Sequence, residues 1–258
     1  MKVFRNNVYR QLVIRAIRTD YLENLTGFAW LILQPLVLLA VYAFVFTTIF
    51  KTRVPDAGSG GFVPYLAIAF WPWTAFSESI LRSSNVVSVN AALIGKVAFP
   101  TELLPLSTVA ASFVMHLAGY LAVLLVLQLF GAPVHWLGLL GAIPVLALLG
   151  VFACGLALFA SALQVFVRDV AQILPPLMTF WFFTTPILYS ADVLPPFWQG
   201  IMRLNPMAWY VGRLRDFLLL GQYQFELADL VVPALTLVVF GLSLAFFRRF
   251  STHFEDFL

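Results

Sequence analysis

Hydrophobic residues in this chain fall into long runs, separated by short polar or proline-marked breaks. A helix that crosses a bilayer takes ~20 mostly apolar residues. Residues 24–50 carry no charge and predict a first span at 28–50. Residues 57–77 are likewise free of charge and predict a second span at 62–82, with Glu78 near its end. From Leu103 to Val167, 65 residues pass without a formal charge, too many for one helix. The Gly131-Ala132-Pro133 turn signal divides that run into spans at 103–130 and 136–162. A fifth span is predicted at 170–190, and a sixth at 230–248, closed by Arg248-Arg249. The ~10-residue alternating segments of a membrane barrel are absent. The expected fold is therefore an all-α integral membrane protein with six transmembrane helices.

Three segments depart from this pattern. Residues 1–27 are basic and mixed, helical from about Val3 to Thr19, with apolar positions that do not gather on one clean face. They read either as a charged flank or as an interfacial helix along the inner leaflet, with Tyr21 and Trp30 at headgroup level. Residues 83–100 are too polar to span, yet hold an apolar group (Ala91, Ala92, Leu93, Ile94, Val97, Phe99). An ordinary loop is one reading and a docking surface for another protein is the other. Residues 195–221 open at Pro195-Pro196 and restart at Asn205-Pro206, which predicts two short helices of roughly 8 and 14 residues. Their aromatic content suits a re-entrant hairpin in the outer leaflet between spans 5 and 6, with a surface-lying hairpin as the alternative. The Arg213, Arg215 and Asp216 set within it is costly in a membrane and is a functional-site candidate.

Composition agrees with lipid. Of 258 residues, 62% belong to the hydrophobic set and 10% are charged, against about 25% charged in soluble domains. The net charge of +3 is too small to argue for nucleic acid. With the N-terminus inside, ten Lys and Arg fall on the cytoplasmic side and five outside, so both termini are expected in the cytoplasm. The first 18 residues spread five basic side chains ahead of a long apolar run, which reads as a retained span and not a signal peptide. Cys154 is the single cysteine, so no disulfide forms within the chain, and it reads as a small hydrophobe.

No catalytic constellation stands out. A P-loop, H-E-x-x-H and G-x-S-x-G are all missing, and no Cys/His set suggests a metal. Glu78 reads as a helix-end anchor, and His116 as an interhelical hydrogen-bonder. Aromatic residues are abundant instead, with 26 Phe, 7 Trp and 8 Tyr. Interface belts and bundle core account for most of them. A stacking track for sugar rings is the functional reading, because aromatic faces pack on sugar C–H faces while Tyr and Trp keep polar handles.

Five stretches in order carry a family likeness. They are Tyr21-Leu22-Glu23-Asn24-Leu25-Thr26-Gly27-Phe28-Ala29-Trp30 with Gln34-Pro35, then Leu93-Ile94-Gly95-Lys96-Val97-Ala98-Phe99-Pro100-Thr101-Glu102. Phe166-Val167-Arg168-Asp169-Val170, Thr185-Pro186-Ile187-Leu188-Tyr189 and Leu204-Asn205-Pro206-Met207 follow. With them the chain resembles, over nearly its whole length, the transmembrane subunit of ABC-2 type exporters, in the polysaccharide and polyol-phosphate branch (O-antigen, capsule and teichoic-acid permeases). One departure is Thr19-Asp20, where a basic residue is expected.

The resemblance implies a homodimer in a bacterial inner membrane, paired with two copies of a separate ATPase subunit that binds ATP and Mg. It implies no cofactor, metal or catalytic residue in this chain. Residues 83–100 look like the coupling segment that docks on the ATPase, through Asn90, Leu93, Ile94, Lys96, Phe99 and Pro100. Trp71, Trp73, Phe76, Trp181, Tyr189, Phe197, Trp198, Asn205, Trp209 and Tyr210 become channel or gate candidates. Arg5, Arg10, Arg15 and Arg18 become candidates for the phosphate of a lipid-linked polysaccharide. An ABC-2 exporter of drugs or simple lipids is the near alternative. A membrane enzyme acting on lipid-linked sugars would need a carboxylate or His cluster at one face, and a scaffold would leave the hairpin unexplained.

Overall fold

The computed structural model describes residues 2–19, 25–51, 61–95 and 99–257, without the side chains of residues 2–6, 25–32 and 255. The expected headgroup marker Tyr21, coupling residue Lys96 and the side chains of Arg5 and Trp30 lie outside what the structure describes. Among the described residues all regular structure is helical, as expected. The elements are α1 (Lys2–Ile17), α2 (Leu25–Phe44), α3 (Phe62–Ser84), α4 (Val86–Val89) and α5 (Ala91–Ile94). After them come α6 (Leu103–Leu129), α7 (Leu139–Phe166), α8 (Val170–Phe183), α9 (Pro196–Arg203), α10 (Pro206–Arg215) and α11 (Ala228–Phe250). Single π-helical turns extend α2 over Val45–Ile49 and α10 over Asp216–Leu220.

By length and composition, three described helices can cross a membrane: Leu103–Leu129, Trp136–Phe166 and Ala228–Phe254. Leu33–Ile49 and Val170–Phe183 are shorter apolar helices. The segment 170–190 is helical only to Phe183, where Thr184 and the Thr185-Pro186 step turn the chain. A proline cannot donate to the helix ladder and disfavours helical backbone just before it.

Helix α3 is the axle of the fold. Of its 23 residues 17 are buried, whereas α11, equally long, buries four. Trp71 explains one side of this packing. Its indole N–H donates to the His116 carbonyl at 2.9 Å, and its ring covers Gly119, where a Cβ would lie 2.6 Å from Cζ2. One helical turn away, the Tyr120 hydroxyl donates to the Ile68 carbonyl at 3.0 Å. On the other side Phe76 stacks on Phe152 of α7. Helices α7 and α11 run side by side so closely that a Cβ on Gly155 would meet the Phe240 backbone at 3.1 Å.

The helix ends gather at two poles. At one pole α4, α5, the start of α6, the ends of α7 and α11 and the chain after α11 share a second hydrophobic cluster built on Val87, Leu158, Val165, Phe247 and Phe254. At the other pole the end of α10 docks on the start of α7, where the His135 N–H donates to the Leu218 carbonyl at 2.9 Å. Gly221 makes that contact possible. It closes the π turn with φ +62, and a Cβ there would meet the His135 ring at 2.7 Å.

Helix α1 is half-buried along one side. Val8, Tyr9, Leu12, Val13, Ala16 and Ile17 are all half-buried, and Arg10, Arg15 and Arg18 are exposed. Ile14, off that side, is 39% exposed, so the apolar positions do not gather on one clean face, as expected. That helix packs against α6.

Candidate functional site

Between α2, α3 and α8 lies a cavity of about 640 Å³. All three helices carry an internal proline, Pro35, Pro72 and Pro175-Pro176. Its walls mix rings and polar groups. Tyr42, Phe70, Trp73, Phe182 and Phe183 supply the rings, and Gln34, Thr74, Ser77, Glu78, Arg82 and Thr179 the polar groups. The rings brace one another: Tyr42 stacks on Phe182 at 5.8 Å, and Trp73 meets Phe182 at the same centroid distance.

Glu78 joins the cavity to the core. One carboxylate oxygen accepts from Arg82 at 2.6 Å, and the other meets His116 Nε2 at 2.9 Å. The carboxylate accepts only, which assigns the imidazole proton to Nε2. His116 Nδ1 is buried without a hydrogen-bond partner among the described residues. His116 is thus an interhelical hydrogen-bonder, and Glu78 is its anchor.

Where α8 ends, the chain runs through an irregular turn, Thr184–Tyr189, buried at Thr185 through Leu188. Buried backbone without helical partners must find donors elsewhere, and here side chains supply them. Arg215 donates to the carbonyls of Tyr65, Pro186 and Ile187 at 3.1, 2.7 and 2.9 Å. Its guanidinium also stacks on the Tyr65 ring at 3.4 Å. The Tyr65 hydroxyl donates to the Tyr189 carbonyl, and the Tyr189 hydroxyl to the Phe183 carbonyl.

Asn205 pins the same turn from the hairpin. Its Oδ1 caps α10 by accepting from the Met207 N–H and also accepts from the Trp181 indole N–H. Its Nδ2 donates to the Thr184 carbonyl and the Thr185 hydroxyl.

The charged set of the hairpin is fully engaged. Arg213 contacts Asp229 at 2.7 Å, Asp216 at 2.7 Å and Glu226 at 3.0 Å. Asp229 additionally accepts from the Trp209 indole and the Tyr223 hydroxyl. Both Arg213 and Arg215 therefore fasten α10 to its surroundings.

Of the channel and gate candidates, Trp73 lines the cavity. Trp71 faces α6 on the opposite side of α3. Phe76 is wholly buried between Phe152 and Trp181. Trp181 and Tyr189 hold the turn after α8, as described above. Tyr210 is buried against Thr236 of α11 at 2.6 Å, and Trp209 is tied to Asp229. Phe197 and Trp198 project from α9, 71% and 50% exposed.

The residues named for coupling occupy the other pole. Asn90 bonds the Val86 carbonyl at 2.8 Å and so closes α4. Leu93, Ile94, Phe99 and Pro100 are half-buried, whereas Ser88, Val89 and Ala92 face outward, Val89 being 79% exposed.

Sequence reasoning overlooked the cavity contribution of Gln34, Leu38, Tyr42 and Thr179. The available signal was the proline inside each of three apolar helices, which marks interrupted helices of the kind that line membrane sites.

The mixed aromatic and polar cavity lies in a chain with helices long and apolar enough to cross a membrane. The chain belongs to the ABC-2 type transporter family, whose profile matches residues 7–219. It is 27% identical over 244 residues to the O-antigen export system permease protein RfbA of Klebsiella pneumoniae, covering 94% of this chain and 91% of that one. An O-antigen export system permease protein RfbA of Myxococcus xanthus is 30% identical over 198 residues, or 76% and 74% of the two chains. The polysialic acid transport protein KpsM of Escherichia coli is 22% identical over 241 residues, or 92% and 91%.

Proposed function

We propose that this chain is the permease subunit of an ATP-driven exporter that carries a lipid-linked polysaccharide from the cytoplasmic side across a bacterial inner membrane. The observation that carries the reading is the cavity between α2, α3 and α8, in a chain whose relatives are named for O-antigen export and polysialic acid transport. Its rings offer flat faces to sugar C–H groups, and Thr74, Ser77 and Thr179 offer hydroxyls. Such a wall holds a polymer weakly at many points and lets it slide.

Six helices cross the membrane in this reading: α2 with its π turn, α3, α6, α7, α8 and α11. The 23 residues of α3 rise about 34 Å, enough for a hydrocarbon core of ~30 Å. The 14 residues of α8 rise only about 21 Å. The turn Thr184–Tyr189 covers the remaining depth, and its side-chain-bonded carbonyls meet the demand that such backbone be buried in protein. The α9–α10 hairpin is then re-entrant from the outer face and serves as the gate.

The pole carrying α4 and α5 is cytoplasmic, with both termini. It docks an ATPase subunit, two copies per homodimer, which binds ATP and Mg and supplies the energy. The exposed Arg10, Arg15 and Arg18, together with Arg5, attract the lipid phosphate at the inner leaflet.

Reconstitution tests this directly. Proteoliposomes holding this chain and its ATPase subunit should move a lipid-linked polysaccharide only with ATP present. Hydrolysis of ATP by this chain alone, or transport restricted to drugs or single lipids, would reject the reading.

A further inference from the structure

Helices α4 and α5 have four residues each. Helices so short have no stability of their own, so tertiary packing must set their position. Val87 of α4 sits in a buried cluster that also holds residues from the far end of the chain. After α11 a 3-10 turn, Ser251–Asp256, folds back and buries Phe254 completely. Phe254 meets Phe247 edge to face at 5.3 Å and lies 5.9 Å from Phe166. Phe250 and Phe257 close on the same Phe166 ring at 5.7 and 4.9 Å. Val87, fully buried, is the α4 member of this cluster, with Val86 and Ile94 packed at its edge. On the other flank Arg248 donates twice to one Glu102 oxygen, at 3.1 and 3.0 Å, and so ties the end of α11 to the chain just before α6.

This cluster is separate from the main core and borders no part of the cavity. It grips one face of α4 and leaves Ser88, Val89 and Ala92 facing outward.

We propose that the C-terminal turn is a clamp for the coupling segment, with Phe254 as a positioning residue that holds α4 and α5 where they meet the ATPase subunit. The proposal rests on the reading of residues 83–100 as that docking segment. Deleting the Phe254 ring empties a site shared by three stretches of chain and frees α4 while the helices around α3 keep their own core.

The test uses the full-length chain in lipid nanodiscs, comparing wild type with Phe254→Ala, Phe254→Leu and Val89→Asp. Hydrogen exchange is read over residues 86–94, and binding of the co-purified ATPase subunit is measured. In Phe254→Ala, exchange over 86–94 should rise about tenfold, equivalent to ~1.4 kcal/mol of opening. Exchange in α3 and α6 should not change, ATPase binding should weaken about tenfold, and Phe254→Leu should recover most of both. Unaltered exchange over 86–94, or unaltered ATPase binding in Phe254→Ala, overturns the clamp. Should Phe254→Ala fail to assemble, Phe254→Leu and Val87→Ala carry the same comparison with a smaller expected change. Val89→Asp separates the two readings. If it abolishes binding while Phe254→Ala does not, the clamp alone fails; if binding survives Val89→Asp as well, the docking assignment of α4 fails.

Discussion

Replacing Arg215 by Met tests whether the turn after α8 depends on the hairpin. Arg215 is 7% exposed and donates to the carbonyls of Tyr65, Pro186 and Ile187. Methionine occupies much of the same volume and donates nothing. A hydrogen bond from a charged donor contributes about 1.5–3 kcal/mol, and the variant leaves three buried carbonyls without this one. Loss of the desolvated stack on Tyr65 adds about 2 kcal/mol. Against this stands the desolvation of the guanidinium itself, several kcal/mol, which the variant no longer bears. The net expectation is a destabilisation of about 3–5 kcal/mol, because three such donations and the stack together outweigh that relief. Reversible unfolding in mixed micelles measures it, and protease cleavage between residues 184 and 205 should rise in parallel. Arg215→Lys keeps the charge but loses the planar fork that spans three acceptors, so its stability should fall between the two. An Arg215→Met loss below about 1 kcal/mol, the scale of one ordinary hydrogen bond, would refute the clamp on the turn.

Gly119→Ala should destabilise the α3–α6 contact by about 1–3 kcal/mol, since its Cβ would lie 2.6 Å from Trp71 Cζ2. Trp71→Phe in the same chain should recover part of that loss in the same unfolding assay. Arg213→Ala leaves Asp216, Glu226 and Asp229 together without their shared cation, with an expected loss of about 3–5 kcal/mol. Adding Asp229→Asn should restore part of it, and a strictly additive double variant would contradict the coupling. Trp73→Ala opens the wall of the cavity and should slow polysaccharide export in proteoliposomes with little change in ATPase docking. Equal export rates would return Trp73 to a packing role.

Much of the local structure was legible in the sequence because it is written in residues with strong local preferences. Pro196 and Pro206 open α9 and α10 in the first helical turn, and Asn205 caps α10 with its side chain. The length of the charge-free run from Leu103 to Val167, broken at Gly131, became α6 and α7. The family likeness was also legible, since it rests on short stretches in order and needs no contact information.

The orientation of the helices in the bundle was not legible. In lipid, apolar side chains suit both the core and the surface, so hydrophobicity no longer tells inside from outside. Helix α11 is one of the strongly apolar helices, yet buries four residues. Helix α3, diluted by Trp, Pro, Ser and Glu, buries 17. That is why Trp71 and Trp73, two positions apart, could be read as one aromatic group, although only Trp73 reaches the cavity.

By itself, then, the sequence determined an all-helical membrane chain of the ABC-2 type, the breaks between its helices and the short helices of its hairpin. Tertiary structure alone decided which rings face the cavity, which carbonyls Arg215 satisfies, and that Phe254 returns to the buried cluster that holds Val87. The physical reason is distance along the chain. Caps, prolines and apolar run lengths act within a few residues, whereas Arg215 reaches back 150 residues to Tyr65, and only packing in three dimensions brings such pairs together.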